Sequence, residues 1–245
     1  MSALQQALMS SYGSVAAIYN PATQFGGGTL GLWYDPSDYA ALSQDSAGAT
    51  PVTAAGQTAG RMLDKSGRGN TYSQATAAAR PLTATSGAIQ SLTFDGVDDG
   101  GGTGAATFSA DMDCFIAVRR ATTAKGILLN GGSGTKYFGY FENGGGVHYI
   151  GAGAVATTFL NGVAVAGGTA TTGATLIASI TVGDWFVLEV RNLDLSTWTS
   201  LSFTPPFAGY FLNGNFGGMI LAPAGDAATR TNNRQFLGAK VGLSL

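Results

Sequence analysis

The stretch "LDKSGRGN", residues 63–70, decides how the rest of this chain is read. The protein is sparing with charge, yet Asp64, Lys65 and Arg68 crowd around Gly67 and Gly69. Such a loop either cradles a phosphate or makes a turn. A nucleotide-binding P-loop runs Gly-x-x-x-x-Gly-Lys-Ser/Thr into a helix. Here no lysine follows the second glycine, and "TYSQ" after Asn70 starts no helical apolar repeat. A turn gives every residue work. Asp64 and Ser66 can accept from nearby backbone N–H groups, Gly67 and Gly69 supply positive φ, and Asn70 tolerates left-handed geometry. The stretch predicts an ordered turn and points away from a nucleotide enzyme.

On both sides of that turn the signals are β. "LWY" precedes "DPSD", and "SLTFDGVDD" runs into a tight turn at Asp95-Gly96. "CFIAVRR" alternates, sending Cys114, Ile116 and Val118 to one face and Phe115, Ala117 and Arg119 to the other. "KGILLN", "KYFGYF", "VHYI", "ATTFL", "TLIASITV", "WFVLEVRN", "TWTSLSF" and "FGGMILAP" read as further strands. Asn161-Gly162 is the strongest hairpin signal among them. Residues 43–60 read as an ordered surface loop. No helical repeat of 10–15 residues separates the strands, as a parallel α/β sheet requires. The expected fold is therefore all-β, a two-sheet antiparallel jelly-roll sandwich over residues 31–245. The tail after Pro223 is polar, with room for a late helical turn capped by Asp226 and stopped at Leu237-Gly238. Residues 1–30 form an N-terminal arm with a short helix, since Leu4, Leu8 and Tyr12 recur at i, i+4 and i+8. So short a helix must dock, on its own body or on another subunit.

Composition narrows the partners. Of 245 residues, 45% are hydrophobic and 11% charged, and the formal net charge is −2. No basic stripe supports nucleic-acid binding, and no apolar run approaches the roughly 18 residues of a membrane span. The opening "MSALQQALMSSYG" lacks the basic start of a signal peptide, and Cys114 has no disulfide partner in the chain. Synthesis and folding in a cytoplasm are expected.

Three stretches in fixed order resemble the concanavalin A-like, laminin-G-type sandwich common in tailed-bacteriophage virion proteins. They are Trp-x-Asp at 33–35, Asp-x-Ser-Gly-x-Gly-Asn at 64–70 and Phe-Asp-Gly at 94–96. "FSADMDCFIAVRR", "FLNGVAVAGG" and "FGGMILAPAGDAATRTNNRQFLGAKVG" extend the likeness to the C-terminus. The resemblance implies a non-catalytic virion protein: a surface-exposed tail, fibre or baseplate adhesion module, assembled in the host cytoplasm. Its implied partners are other virion proteins, further copies of itself, with trimers common among such proteins, and a host glycan or protein. A capsid decoration or cement protein is the alternative. A free carbohydrate-binding module or cryptic glucanase is the alternative from another class.

The residues themselves offer little chemistry. A retaining glycosidase needs two carboxylates about 5–5.5 Å apart. Glu142 and Glu189 are the only glutamates and share no such pattern; Glu189 lies on one strand face with Arg191, as a solvated or paired surface residue. His148 stands alone, without a Gly-x-Ser-x-Gly elbow, and Cys114 reads as core. Asp95, Asp98 and Asp99 are the weak metal candidates. One reading makes them oxygen ligands for Ca²⁺, with Asp111 or Asp113 as further ligands that the next hairpin could bring near; the other makes Asp95 the cap of a turn and the rest solvated loop residues. No cofactor is expected. Aromatic residues are the better ligand or interface candidates: Tyr137, Tyr140 and Tyr149, with Phe138 and Phe141 beside them; one pair can fill the core while the other is left exposed, and core packing or an oligomer interface is favoured over sugar stacking.

Overall fold

The computed structural model describes residues 19–26, 28, 30–123, 126–133, 136–139, 149–150 and 156–245. Leu4, Leu8, Tyr12, Tyr140, Glu142 and His148 lie outside the described residues. Fourteen strands are described. In chain order they are β1 (Leu32–Tyr34), β2 (Leu42–Ser43), β3 (Arg61–Met62), β4 (Tyr72–Ser73), β5 (Leu82–Ser86), β6 (Ile89–Asp95) and β7 (Met112–Arg120). Then come β8 (Leu129–Ser133), β9 (Lys136–Phe138), β10 (Tyr149–Ile150), β11 (Thr157–Leu160), β12 (Val163–Ala164), β13 (Trp185–Leu193) and β14 (Asn213–Pro223).

A large antiparallel sheet dominates, in the order β12-β11-β13-β7-β14-β6-β5. One edge of β14 serves two strands. Its first half, from Asn213 to Phe216, pairs with β6, and Met219, Ile220 and Leu221 pair with β1. The alternation read from "CFIAVRR" holds. Cys114, Ile116 and Val118 enter the main core with Leu188, Val190, Phe216 and Met219. Phe115 and Ala117 face the other way, with Trp33, Val187 and Ile220. Both faces are covered, so β7 is buried along almost its whole length.

The inner face packs against a broken second layer. Sheets β2-β3-β4 and β8-β9-β10 are stitched together by single bridges: Ser73 opposite Gly102, Gly102 opposite Ser202, and Ser202 opposite Asn130. The stretch "TWTSLSF" therefore contributes bridges and buried side chains, not a named strand. Phe203 ties the layers, with its ring 5.0 Å from Phe216, 5.6 Å from Phe94 and 5.9 Å from Tyr72. Contacts of this kind add to the large apolar area each ring removes from water.

The turn at 64–70 clasps β1. The Asp64 carboxylate accepts from the backbone N–H groups of Trp33 (2.9 Å), Ser66 (2.9 Å) and Asn70 (3.0 Å). Ser66 Oγ accepts from Arg68 N, and Gly67 and Gly69 take φ of 78° and 81°. Asn70 donates to the Gly31 carbonyl, its own carbonyl accepts from the Tyr34 hydroxyl, and Lys65 bridges Asp35 and Asp38. Two stretches singled out in the sequence thus form one unit. The hairpin at Asn161-Gly162 also forms between β11 and β12, with φ of 50° and 83° as a two-residue hairpin turn requires.

Two readings need correction. "TLIASITV" is no strand: Gly173–Ala178 is a short helix, whose Thr172 hydroxyl accepts from Thr175 N. N-capping overrides the β preference of the Thr and Ile side chains there. The late helical turn is a full helix, Ala227–Lys240. Asp226 caps it as read, but it runs on past Gly238. It covers the outer face of the large sheet with Leu237 and Val241. On the same side Pro21–Phe25 forms a 3-10 turn that buries Phe25, whose carbonyl accepts from Arg68 Nη2 at 2.6 Å. Among the described residues no helix is long and apolar enough to cross a membrane.

Candidate functional site at one end of the large sheet

The end of the sheet where β6 stops and β14 begins carries an acidic turn. Asp95 closes β6 and lies opposite Asn213, whose side-chain amide donates to the Asp95 carbonyl at 3.0 Å. The turn that follows is built by its carboxylates. Asp95 Oδ1 accepts from Val97 N (2.8 Å), and Asp99 Oδ2 reaches back to Asp95 N (2.9 Å). Asp95 and Asp98 are exposed and Asp99 is buried. Burial, with the neighbouring Asp95 and Asp98 charges adding to it, pushes the Asp99 carboxyl up to about 6.

One oxygen from each of the three carboxylates lies within 4.8 Å of the others. Two ligands of a Ca²⁺ ion at about 2.4 Å from its centre are at most about 4.8 Å apart, so the three oxygens are close enough to share one shell. The further ligands weighed for it are not there. Asp111 and Asp113 stand at the β7 end that pairs with Pro223, whereas Arg120, at the other end, faces Gly214 beside Asp95. A strand of nine residues puts them about 25 Å away. The bonds from Asp95 and Asp99 to backbone N–H groups are those of a capped turn.

Beside that turn lies an aromatic loop. Thr204 accepts from Gly101 N through its hydroxyl, which fixes one end of residues 205–212. The Tyr210 carbonyl accepts from Ile127 N at 2.8 Å, and Leu212 is buried. Between these anchors Phe207 is 42% exposed. Its ring meets Tyr137 edge-on at 5.7 Å and Tyr210 at 6.0 Å. Tyr137 itself is only 9% exposed. It backs the surface, and Phe207 presents it. Tyr149 is on β10 opposite Phe138. Sequence reading missed Phe207 because the two prolines before it mark a loop, whose aromatic residues follow no alternation. The available signal was "PPFAGYF" itself, three aromatics in a turn-forming stretch. Val97, 70% exposed in the acidic turn, adds an apolar group at the same end.

Other candidates are structural. Glu189 is paired as read but is not at the surface: it is fully buried, contacting Arg191 Nε and, at 3.1 Å, Arg234 of the C-terminal helix. The helix covers this face, which a strand pattern alone does not show. Asp113 is likewise buried, holding Arg230 Nε at 2.7 Å and accepting from the N–H groups of Asn192 and Gly225. Glu189 is thus locked between two guanidinium groups. Cys114 is fully buried, and burial pushes its thiol well above the usual range, which disfavours the thiolate. Compared with family models, with curated proteins and with solved structures, the chain matches none.

Proposed function

We propose that this chain is a non-catalytic virion surface protein of a tailed bacteriophage, a tail, fibre or baseplate adhesion module. In this reading its two β layers form a concanavalin A-like jelly roll. The observation that carries the proposal is the aromatic shelf of Phe207 and Tyr210, backed by Tyr137 and anchored at both ends to the sandwich. A flat apolar surface with a hydroxyl at its edge suits stacking on a sugar or packing on a protein, and a rigid scaffold keeps its ordering cost low. The virion setting is supported by the ordered sequence resemblance, two stretches of which form the clasp between β1 and the 64–70 turn. Adhesion of this kind needs neither metal nor cofactor. Partners are other virion proteins, further copies of the chain, and a host glycan or protein at the shelf.

The test is binding of labelled full-length protein to cells of the host. Phe207→Ala with Tyr210→Ala is expected to lower binding by about ten-fold or more, because exposed aromatic anchors dominate such contacts. The melting temperature should fall only modestly, since Phe207 is exposed and Tyr210 half-buried. Undiminished binding by a folded double variant would remove the shelf from the proposal. A capsid cement protein would instead bind empty heads and ignore cells.

A further inference from the structure

Among the described residues the large sheet ends in two edge strands that are finished differently. At one edge β12 has two residues, too few to template a neighbouring strand. At the other edge β5 runs for five residues, "LTATS", in unbroken register with β6. It carries no charge, no proline and no bulge, the devices that usually blunt an edge. Residues 53–59 of the same chain cover it instead. Thr83 N donates to the Gln57 carbonyl at 2.8 Å, the Thr83 carbonyl accepts from Gly56 N at 2.7 Å, and the Pro81 carbonyl accepts from Ala59 N at 2.8 Å. Two side chains clasp this strap. The Thr83 hydroxyl donates to the Ala54 carbonyl at 3.0 Å and accepts from Gln57 N at 3.2 Å. Gln57 Oε1 accepts from Thr53 N at 2.7 Å and Ala54 N at 3.1 Å. Val52 and Ala59 are buried at the strap's roots, but residues 53–56 are exposed and Gln57 and Thr58 half-buried. Hydrogen bonds therefore hold the strap, not buried apolar area. A segment held in that way opens locally while the body stays folded.

We propose that the β5 edge is a self-association surface that the strap keeps closed, and that its partner on release is β5 of a second copy, paired antiparallel. Thr83 spends both backbone groups on the strap, so it faces away from β6, and by alternation Thr85 faces the same way. Pairing about Ala84 sets Thr83 of one copy against Thr85 of the other, and the reverse. Such a contact is isologous and closes as a dimer. Its composition favours a second copy. The strand has no charge to repel its own image, and threonines opposite one another suit strand pairs. The two large sheets then run on as one. This pairing holds or fails independently of the virion reading.

The test uses full-length protein with Ala84→Cys, whose thiols meet at the pairing axis. Cys114, fully buried, stays silent under mild oxidation. Gly56 has a φ of 85°, so Gly56→Val strains the strap, and Gln57→Ala removes a clasp. With both changes, hydrogen-exchange protection at Ala59 and Thr83 is expected to fall. Links between copies at position 84 should form about ten-fold faster than with the intact strap, because they report the open state. Links through Val163→Cys at the other edge should keep their rate. Thr58 and Leu82 stand opposite each other, so Thr58→Cys with Leu82→Cys staples the strap shut. In sedimentation velocity the staple should return the released protein, without Ala84→Cys, to the parent's value. Retained protection would show that hydrogen bonds are not what holds the strap, and would overturn the proposal. So would unchanged linking at position 84, or an equal rise at positions 84 and 163. Links from position 58 of one copy to position 82 of another would mean exchanged straps and would overturn it as well.

Discussion

Glu189 and Asp113 show how far a residue's surroundings can depart from its strand pattern. Each is a buried carboxylate held by arginines that the C-terminal helix brings to the sheet, Arg234 and Arg230. Removing one partner of a buried pair costs about 3–5 kcal/mol when the other is left without water. Arg230→Ala leaves the Asp113 carboxylate, only 2% exposed, without its cation and with only the Asn192 and Gly225 N–H groups, so a loss toward the lower end of that range is expected in a denaturant titration. Glu189→Ala leaves Arg191 and Arg234 with 21% and 15% exposure, so its loss should be smaller. Equal or inverted costs would contradict this account of the two clusters. Asp99 makes a pH prediction. Its carboxyl titrates at about 6, above the ordinary range, so between about pH 4 and 6 the native state holds more protons than the unfolded one. The stability associated with the protonated group is fully present below that window and is lost as pH rises through it. Asp99→Asn keeps an oxygen for Asp95 N–H, so it should gain up to about 2 kcal/mol over the parent at pH 7 and nothing at pH 3.5. A gain independent of pH would separate Asp99 from the effect.

At the level of elements, the 64–70 turn and β1 stand together. Asp64 is the hinge of that unit, accepting from three backbone N–H groups across two segments. Asp64→Ala leaves those donors unsatisfied, at a cost of about 2–4 kcal/mol, and should loosen β1 first. Hydrogen exchange at Trp33, Ser66 and Asn70 would show it as a loss of protection before global unfolding; unchanged protection would refute the clasp. This turn was legible because its chemistry is local: Asp64, Ser66, Gly67, Gly69 and Asn70 lie within seven positions. The alternation of β7 and the Asn161-Gly162 hairpin were legible for the same reason. The helix at 173–178 was not, because Thr, Leu and Ile suit either state and the Thr172 cap decided between them. The length of the C-terminal helix was hidden as well. Its buried face is built partly from Arg230, Asn233 and Arg234, whose partners lie far away in sequence.

At the level of the molecule, a two-layer body carries an aromatic shelf at one end and a helix-lined hollow on its outer flank. The large sheet was foreseen, while the broken second layer depends on single bridges between distant segments such as Gly102 and Ser202. The shelf was half legible: Tyr137 was singled out, but Phe207 does the presenting. The acidic turn was found by composition, and its hydrogen bonds tie it to backbone geometry. The measurement that meets the central claim most directly is immunogold electron microscopy of purified particles of the encoding phage, using antibody against this protein. The account predicts gold at the tail, fibres or baseplate of intact virions. Gold spread evenly over the head would make it a cement protein, and particles that carry no label would contradict the virion assignment outright.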